Sequence, residues 1–276
     1  MPAEPPLSSW ATNRFGERAG LVRRTVAESV LRAIRNAQDA QEDSQTDRAY
    51  PFGWALHPRK FEALHEGFKD QPGFNSVRPH GSIHQMTVVS GNLLFPFCFA
   101  KDRSINVMKA KITEDKVSGL LKVLFALFGP ERTIEQLTLD SEDEEESKRL
   151  IAVADSLSRL PEDTELVLVP YACNFKAGLL ELWWGDAELL DDRGHLEWHH
   201  CEEIPVPDTP PPGRRRLQSV GEPPSPNAGP RFDQGPVPLP PLTPRSPVEL
   251  SDSEKFPPRS EKADSPDQDV TDREES

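Results

Sequence analysis

Between Thr164 and Ile204 the apolar runs Leu166–Val169 and Leu179–Trp184, then Leu196 and Trp198, alternate with turn-like interruptions at Ala172–Gly178 and Asp191–Gly194. That spacing predicts an antiparallel meander. A second strand texture runs from Ser82 to Ile112. There SIHQMTVV, LLFPFCFA and INVMKAKI are separated by Ser90-Gly91-Asn92 and by Lys101–Ser104. Pro96 cannot donate to a ladder, so it predicts an edge position or a bulge in the middle strand.

Helical spacing fills the intervals. Thr25 and Glu28 form a capping box ahead of Val26, Val30, Leu31 and Ile34, and the pattern fades over Gln38–Thr46. Pro58 suits the first position of a helix through Phe68, with Phe61, Leu64 and Phe68 on one face and His65 beside it. Thr113 caps a third helix, its apolar residues Val117 to Phe128 wrapping more than half the circumference, which ends at Gly129-Pro130. Ser141 and Glu144 box a fourth, running to Leu160-Pro161. The acidic run Asp140–Glu146 fits the positive end of that helix, a simpler account than a metal site.

The expected fold is therefore α+β: antiparallel β-meanders of about six strands with about four packing helices. Residues 1–20 read as an irregular arm and 21–205 as one globular domain. The order helix, helix, three strands occurs in 25–112 and again in 114–204, a weak sign of an ααβββ duplication.

Composition then separates the end of the chain. From Val206 onward lie 17 of the 29 prolines and none of the five tryptophans or two tyrosines. Residues 206–276 lack the apolar content to offset the entropy of ordering, and read as a disordered tail rich in Pro, Ser and acids. Pro236–Arg245 favours polyproline II, which makes Pro238, Pro241 and Arg245 a candidate docking segment for an aromatic-lined groove. Ser-Pro and Thr-Pro pairs such as Ser225-Pro and Thr243-Pro add candidate phosphorylation sites.

The formal charge of −14 makes most of the surface a poor match for nucleic acid. A local exception is the group Arg14, Arg18, Arg23, Arg24, Arg32 and Arg35. Near a helix N-terminus arginines do not complement the dipole. They are matched either by the acidic body, for instance Asp140–Glu146, or by an external anion, and only in the second case do Arg23 and Arg24 mark a nucleic-acid surface. With so many carboxylates competing, the internal match is the preferred reading.

Three cysteines, Cys98, Cys173 and Cys201, are too few for a disulfide framework. Cys98 and Cys173 sit in apolar surroundings, which predicts inert thiols. No apolar signal region follows Met1, and Val117–Phe128 is too short to span a bilayer. The expectation is a cytoplasmic protein with no membrane partner.

The densest group of metal-ligand types is His195-Leu-Glu-Trp-His199-His200-Cys201-Glu202-Glu203. Strand alternation puts His199, Cys201 and Glu203 on one face, three of the about four ligands that zinc takes. A zinc or other divalent-metal enzyme of the nuclease or hydrolase class is thus the alternative function. No Walker loop, G-x-S-x-G, HExxH or paired CxxC accompanies it. Trp183 and Trp184 point to opposite faces of their strand, so one of them is a candidate binding anchor. The leading expectation is a non-enzymatic binding or regulatory protein, without a cofactor, acting through a protein partner.

Overall fold

The computed structural model describes residues 5–131 and 144–206. By internal contacts the chain divides into Met1–Pro211 and Pro212–Ser276, and every described residue belongs to the first unit. The elements are α1 (Ser9–Phe15), α2 (Ala19–Asp43), α3 (Tyr50–Phe68), β1 (Phe74–Val77), β2 (Met86–Val89), β3 (Asn92–Ala100), α4 (Gly119–Phe128), α5 (Glu144–Leu157), β4 (Glu165–Asn174), β5 (Gly178–Leu189) and β6 (Leu196–Glu203).

The six strands form one sheet in sequence order, so the expected α+β class holds. Each run of three strands is an antiparallel meander, but the two meanders meet along a parallel pair, β3 with β4. A parallel join needs a long crossover, and residues 101–164 supply it through α4 and α5. The two helix groups lie on opposite faces of the sheet. Leu93, Phe97, Leu166 and Leu168 point into one core with Leu121, Leu124, Val153 and Leu157. Leu94, Val167, Val169 and Trp184 point into the other, with Phe15, Val26, Ile34 and Leu64. Covered on both sides, β3 and β4 carry near-continuous apolar runs rather than alternation.

Several boundaries differ from the expectation. Ser9–Phe15, expected as irregular, is a helix whose first turn is capped by the Ser8 hydroxyl, 3.0 Å from the Ala11 amide. Thr25 and Glu28 lie inside α2, because buried Ala19 and Val22 extend its apolar stripe upstream. The Thr25 hydroxyl instead accepts from Gln71 Nε2 at 3.0 Å. Pro58 lies inside α3, which begins at Tyr50 with Pro51 in its first turn. Phe52 and Leu56, both buried, anchor that extra length. Ser118, not Thr113, caps α4.

Strand β1 was not anticipated, and INVMKAKI is not a strand. Val107, Ala110 and Ile112 are its buried residues, and the three-residue step from Val107 to Ala110 breaks strand alternation. The segment holds a short 3₁₀ turn and docks against the β5–β6 turn through Ile112 N–H to Gly194 O at 2.9 Å, and just beyond it Val117 N–H donates to Asp192 O at 2.9 Å.

Pro96 sits where it was expected to sit. β2 pairs only with Asn92–Leu94, so Phe95–Ala100 has β4 on one side and an open edge on the other. Helix α3 closes that edge, with Phe61 packed edge-on to Phe95 at 5.8 Å between ring centroids.

Candidate functional site around helix α3

On α3, His57, Lys60 and Phe61 recur at three- and four-residue spacing and share one face. Phe61 stacks on His84 at 4.7 Å, and the two imidazoles meet with Nε2 of His57 and Nε2 of His84 3.2 Å apart. The Ser82 hydroxyl fixes His84 by accepting from its amide at 3.0 Å. Both histidines have pKa values below the ordinary imidazole value. Desolvation is the main cause, followed for His57 by the Lys60 charge, and for His84 by His57 and then Lys60, with Glu62 opposing. A neutral pair at this separation shares one proton, one ring donating to the other.

Lys60 places its ammonium 5.1 Å from the Phe61 ring centre. Desolvation lowers its pKa to about 8, against the pull of Cys98 and Cys173. Those two cysteines lie toward the C-terminal ends of the parallel strands β3 and β4, the end of a parallel pair at which ligands are commonly held. The register shifts after Cys98, leaving Phe99 unpaired, and the two sulfurs stand 3.9 Å apart. Cys98 is exposed and Cys173 buried. The shared sulfur contact pulls the Cys98 pKa down to about 7, helped by backbone bonds at Ala100 and Cys173 and by Lys60, against desolvation. The same contact, together with burial, pushes Cys173 up. Beside them Tyr171 is buried, with a pKa raised by burial and a hydroxyl that has no hydrogen-bond partner.

Beside this cluster, Pro58, Glu62, His65, Arg78, Ile83 and His84 line a cleft of about 340 Å³. The N-terminal part of α3 leaves two large rings open to solvent. Tyr50 and Trp54, one turn apart, form an edge-to-face pair at 5.4 Å while 51% and 76% exposed, and Ile83 is 77% exposed.

The residues singled out from sequence lie elsewhere. His199, Cys201 and Glu203 are not brought together. A bulge between Asp186 and Ala187 leaves His199 unpaired, so the alternation fails there, and Trp198 and Cys201 pack against the same core. His199 Nε2 meets Glu188 instead. His195 Nδ1 meets Asp191 at 2.7 Å, and burial, with the Glu202 charge behind it, pushes the Cys201 thiol up to about 12. Among the described residues no group of three or more His, Cys, Asp or Glu side chains is placed to hold a metal ion.

Trp183 and Trp184 do face opposite ways. Trp184 is fully buried and donates to Glu202, whereas Trp183 is half-buried and donates to Glu181 at 3.4 Å. Helix α1 covers the Trp184 side: Phe15 stacks on Trp184 at 5.2 Å, and Trp10 stacks on His200 at 4.7 Å.

The arginine group is split. Arg14 pairs with Glu165 and with Asp186. Arg23 is buried and donates to the carbonyls of Pro5 and Pro6. Arg18 donates to Pro72 O and Arg32 to Ala63 O, while Arg24 is exposed. Of the acidic run Asp140–Glu146, residues 140–143 lie outside the described residues and Glu144 and Glu145 meet Lys148, whereas Arg14 is matched by Glu165 and Asp186. Pro238, Pro241 and Arg245 lie outside them too.

The cluster is not visible in the sequence, because Cys98 and Cys173 are 75 residues apart and meet only through the parallel join. The available signal was a cysteine near the end of each of two long apolar strands. No described helix is long and apolar enough to cross a membrane. Compared with known proteins, the chain matches no family model, no curated protein and no solved structure.

Proposed function

We propose that this is a cytoplasmic binding protein whose docking surface is the outer face of α3. The observation that carries the reading is the Tyr50–Trp54 pair: two large rings held against each other, one turn apart, and left open to solvent. Tyr and Trp are the side chains that most often anchor protein interfaces, and helix packing fixes these two in advance of contact. Ile83 adds a further exposed apolar side chain, on the rim of a cleft lined mostly by polar and charged groups such as Glu62, His65 and Arg78. The net charge of −14 favours a partner with a basic surface around its apolar anchor. The metal-enzyme alternative has no such support, since its ligand residues are apart.

The test is affinity capture from extract, comparing the wild-type protein with Tyr50→Ala/Trp54→Ala at matched stability. A partner retained by the wild type and lost by the variant supports the reading. Identical capture by both contradicts it.

A further inference from the structure

We propose that Cys98 and Cys173 form a reactive dithiol that reduces small disulfides, with Cys98 as the attacking thiol and Cys173 as the resolving one. Nothing in this depends on the α3 docking surface. Both cysteines lie toward the same end of two adjacent parallel strands, and the irregularity at Phe99 brings their sulfurs to 3.9 Å. A disulfide requires about 2.05 Å, so closing the gap takes a movement of about 1.9 Å, within the reach of side-chain rotation and a small shift of the bulge. The two differ in access as the roles require: Cys98 is open to solvent, and Cys173 is 1% exposed behind it.

The surroundings favour a thiolate at Cys98. The thiolate, not the thiol, attacks a disulfide, and an attacking group with a pKa near ambient pH is the most effective. Cys98 is drawn to about 7 by the Cys173 contact first and by the Lys60 charge among the smaller causes, and that same contact keeps the shared proton on Cys173 for as long as Cys98 is a free thiolate. Cys201 has no such sulfur partner, is only partly exposed, and its thiol is raised to about 12.

The steps balance. The Cys98 thiolate attacks one sulfur of a small disulfide RSSR, forming Cys98–S–S–R and releasing RS⁻. The Cys173 proton passes to that thiolate. The Cys173 thiolate then attacks the Cys98 sulfur, forming Cys98–S–S–Cys173 and releasing a second RS⁻, which takes a proton from water. The protein loses two electrons and RSSR gains them. An external dithiol restores the reduced form by the same exchange in reverse.

The experiment uses the full chain, reduced and freed of reductant, mixed with oxidised glutathione at about pH 7.5. Samples are quenched with acid and N-ethylmaleimide, and the peptides are mapped by mass. The expected course is a transient glutathione adduct on Cys98, then a Cys98–Cys173 cross-link with two reduced glutathiones released per chain, and Cys201 alkylated throughout. Cys173→Ser is expected to hold the adduct on Cys98, and Cys98→Ser to react negligibly. A stable Cys98 adduct without the cross-link in the wild type, first reaction at Cys201, or no reaction at all would each overturn the proposal. The wild-type map decides the matter even where a serine variant folds poorly.

Discussion

Arg14 on α1 reaches Asp186 on β5 at 2.7 Å, across 172 residues of chain. The same guanidinium meets Glu165 at the start of β4, so one side chain ties the N-terminal helix to two strands. Asp186 is 7% exposed and depends on that cation. Arg14→Ala would leave a buried carboxylate unpaired, at a cost of about 3 kcal/mol. Urea unfolding is the measurement, with the double variant Arg14→Met/Asp186→Leu expected to recover most of the loss. A midpoint unchanged in the single variant would show that α1 is not held by this contact.

Arg14 is paired with Glu165 and Asp186 and Arg23 is buried against two carbonyls, which supports our proposal that the arginine group is not a phosphate-contacting face. Titration with duplex and single-stranded oligonucleotides at low salt should show negligible binding by the wild type. Arg23→Glu/Arg24→Glu should bind no better, and should melt at a lower temperature because Arg23 is buried against the Pro5 and Pro6 carbonyls. Micromolar wild-type affinity that the double variant abolishes would reverse the assignment.

Leu124 is fully buried on α4, in the core that the crossover closes over the sheet. Leu124→Ala should cost about 2–5 kcal/mol through lost transfer energy and a cavity. Denaturant unfolding would register a smaller change only if the site collapses or the helix is not packed.

The histidine pair sets a pH dependence whose sign follows from its shifts. Both His57 and His84 have pKa values below the ordinary 6.5 that they regain on unfolding. Between 6.5 and the lower folded values the unfolded chain binds more protons than the fold. Stability is therefore full above about 6.5 and falls as pH drops below it. His57→Asn/His84→Gln should flatten that part of the profile of melting temperature against pH. A wild-type profile that is already flat between pH of about 7.5 and 5.5 would refute the coupling.

Much of the fold was legible because the β4–β6 meander and the α4 stripe are local patterns. β5 and β6 are joined by a short turn, and Leu121 to Phe128 repeat on one helix. What was not legible depended on the partner of a strand. INVMKAKI looks like a strand, yet Val107, Ala110 and Ile112 fill the core from an irregular segment because the crossover leads it over the sheet. β1 is four residues with a mixed burial pattern and has no periodicity to detect. The metal cluster failed on a single bulged residue, His199, since one extra residue reverses every later side chain. The Cys98–Cys173 contact was hidden because apolar neighbours in sequence do not show a parallel neighbour in space.

The docking surface on α3 is the central claim, and photo-crosslinking tests it most directly. Trp54 is replaced by benzoylphenylalanine in the full-length protein, which is then irradiated in extract, with Leu190 replaced in parallel as an exposed apolar control, 57% exposed. Because Trp54 is 76% exposed, its replacement should leave stability within about 0.5 kcal/mol. The account predicts a discrete cross-linked partner from position 54, absent from position 190 and lost when Tyr50→Ala is added. No adduct from position 54, or the same adducts from both positions, would contradict it.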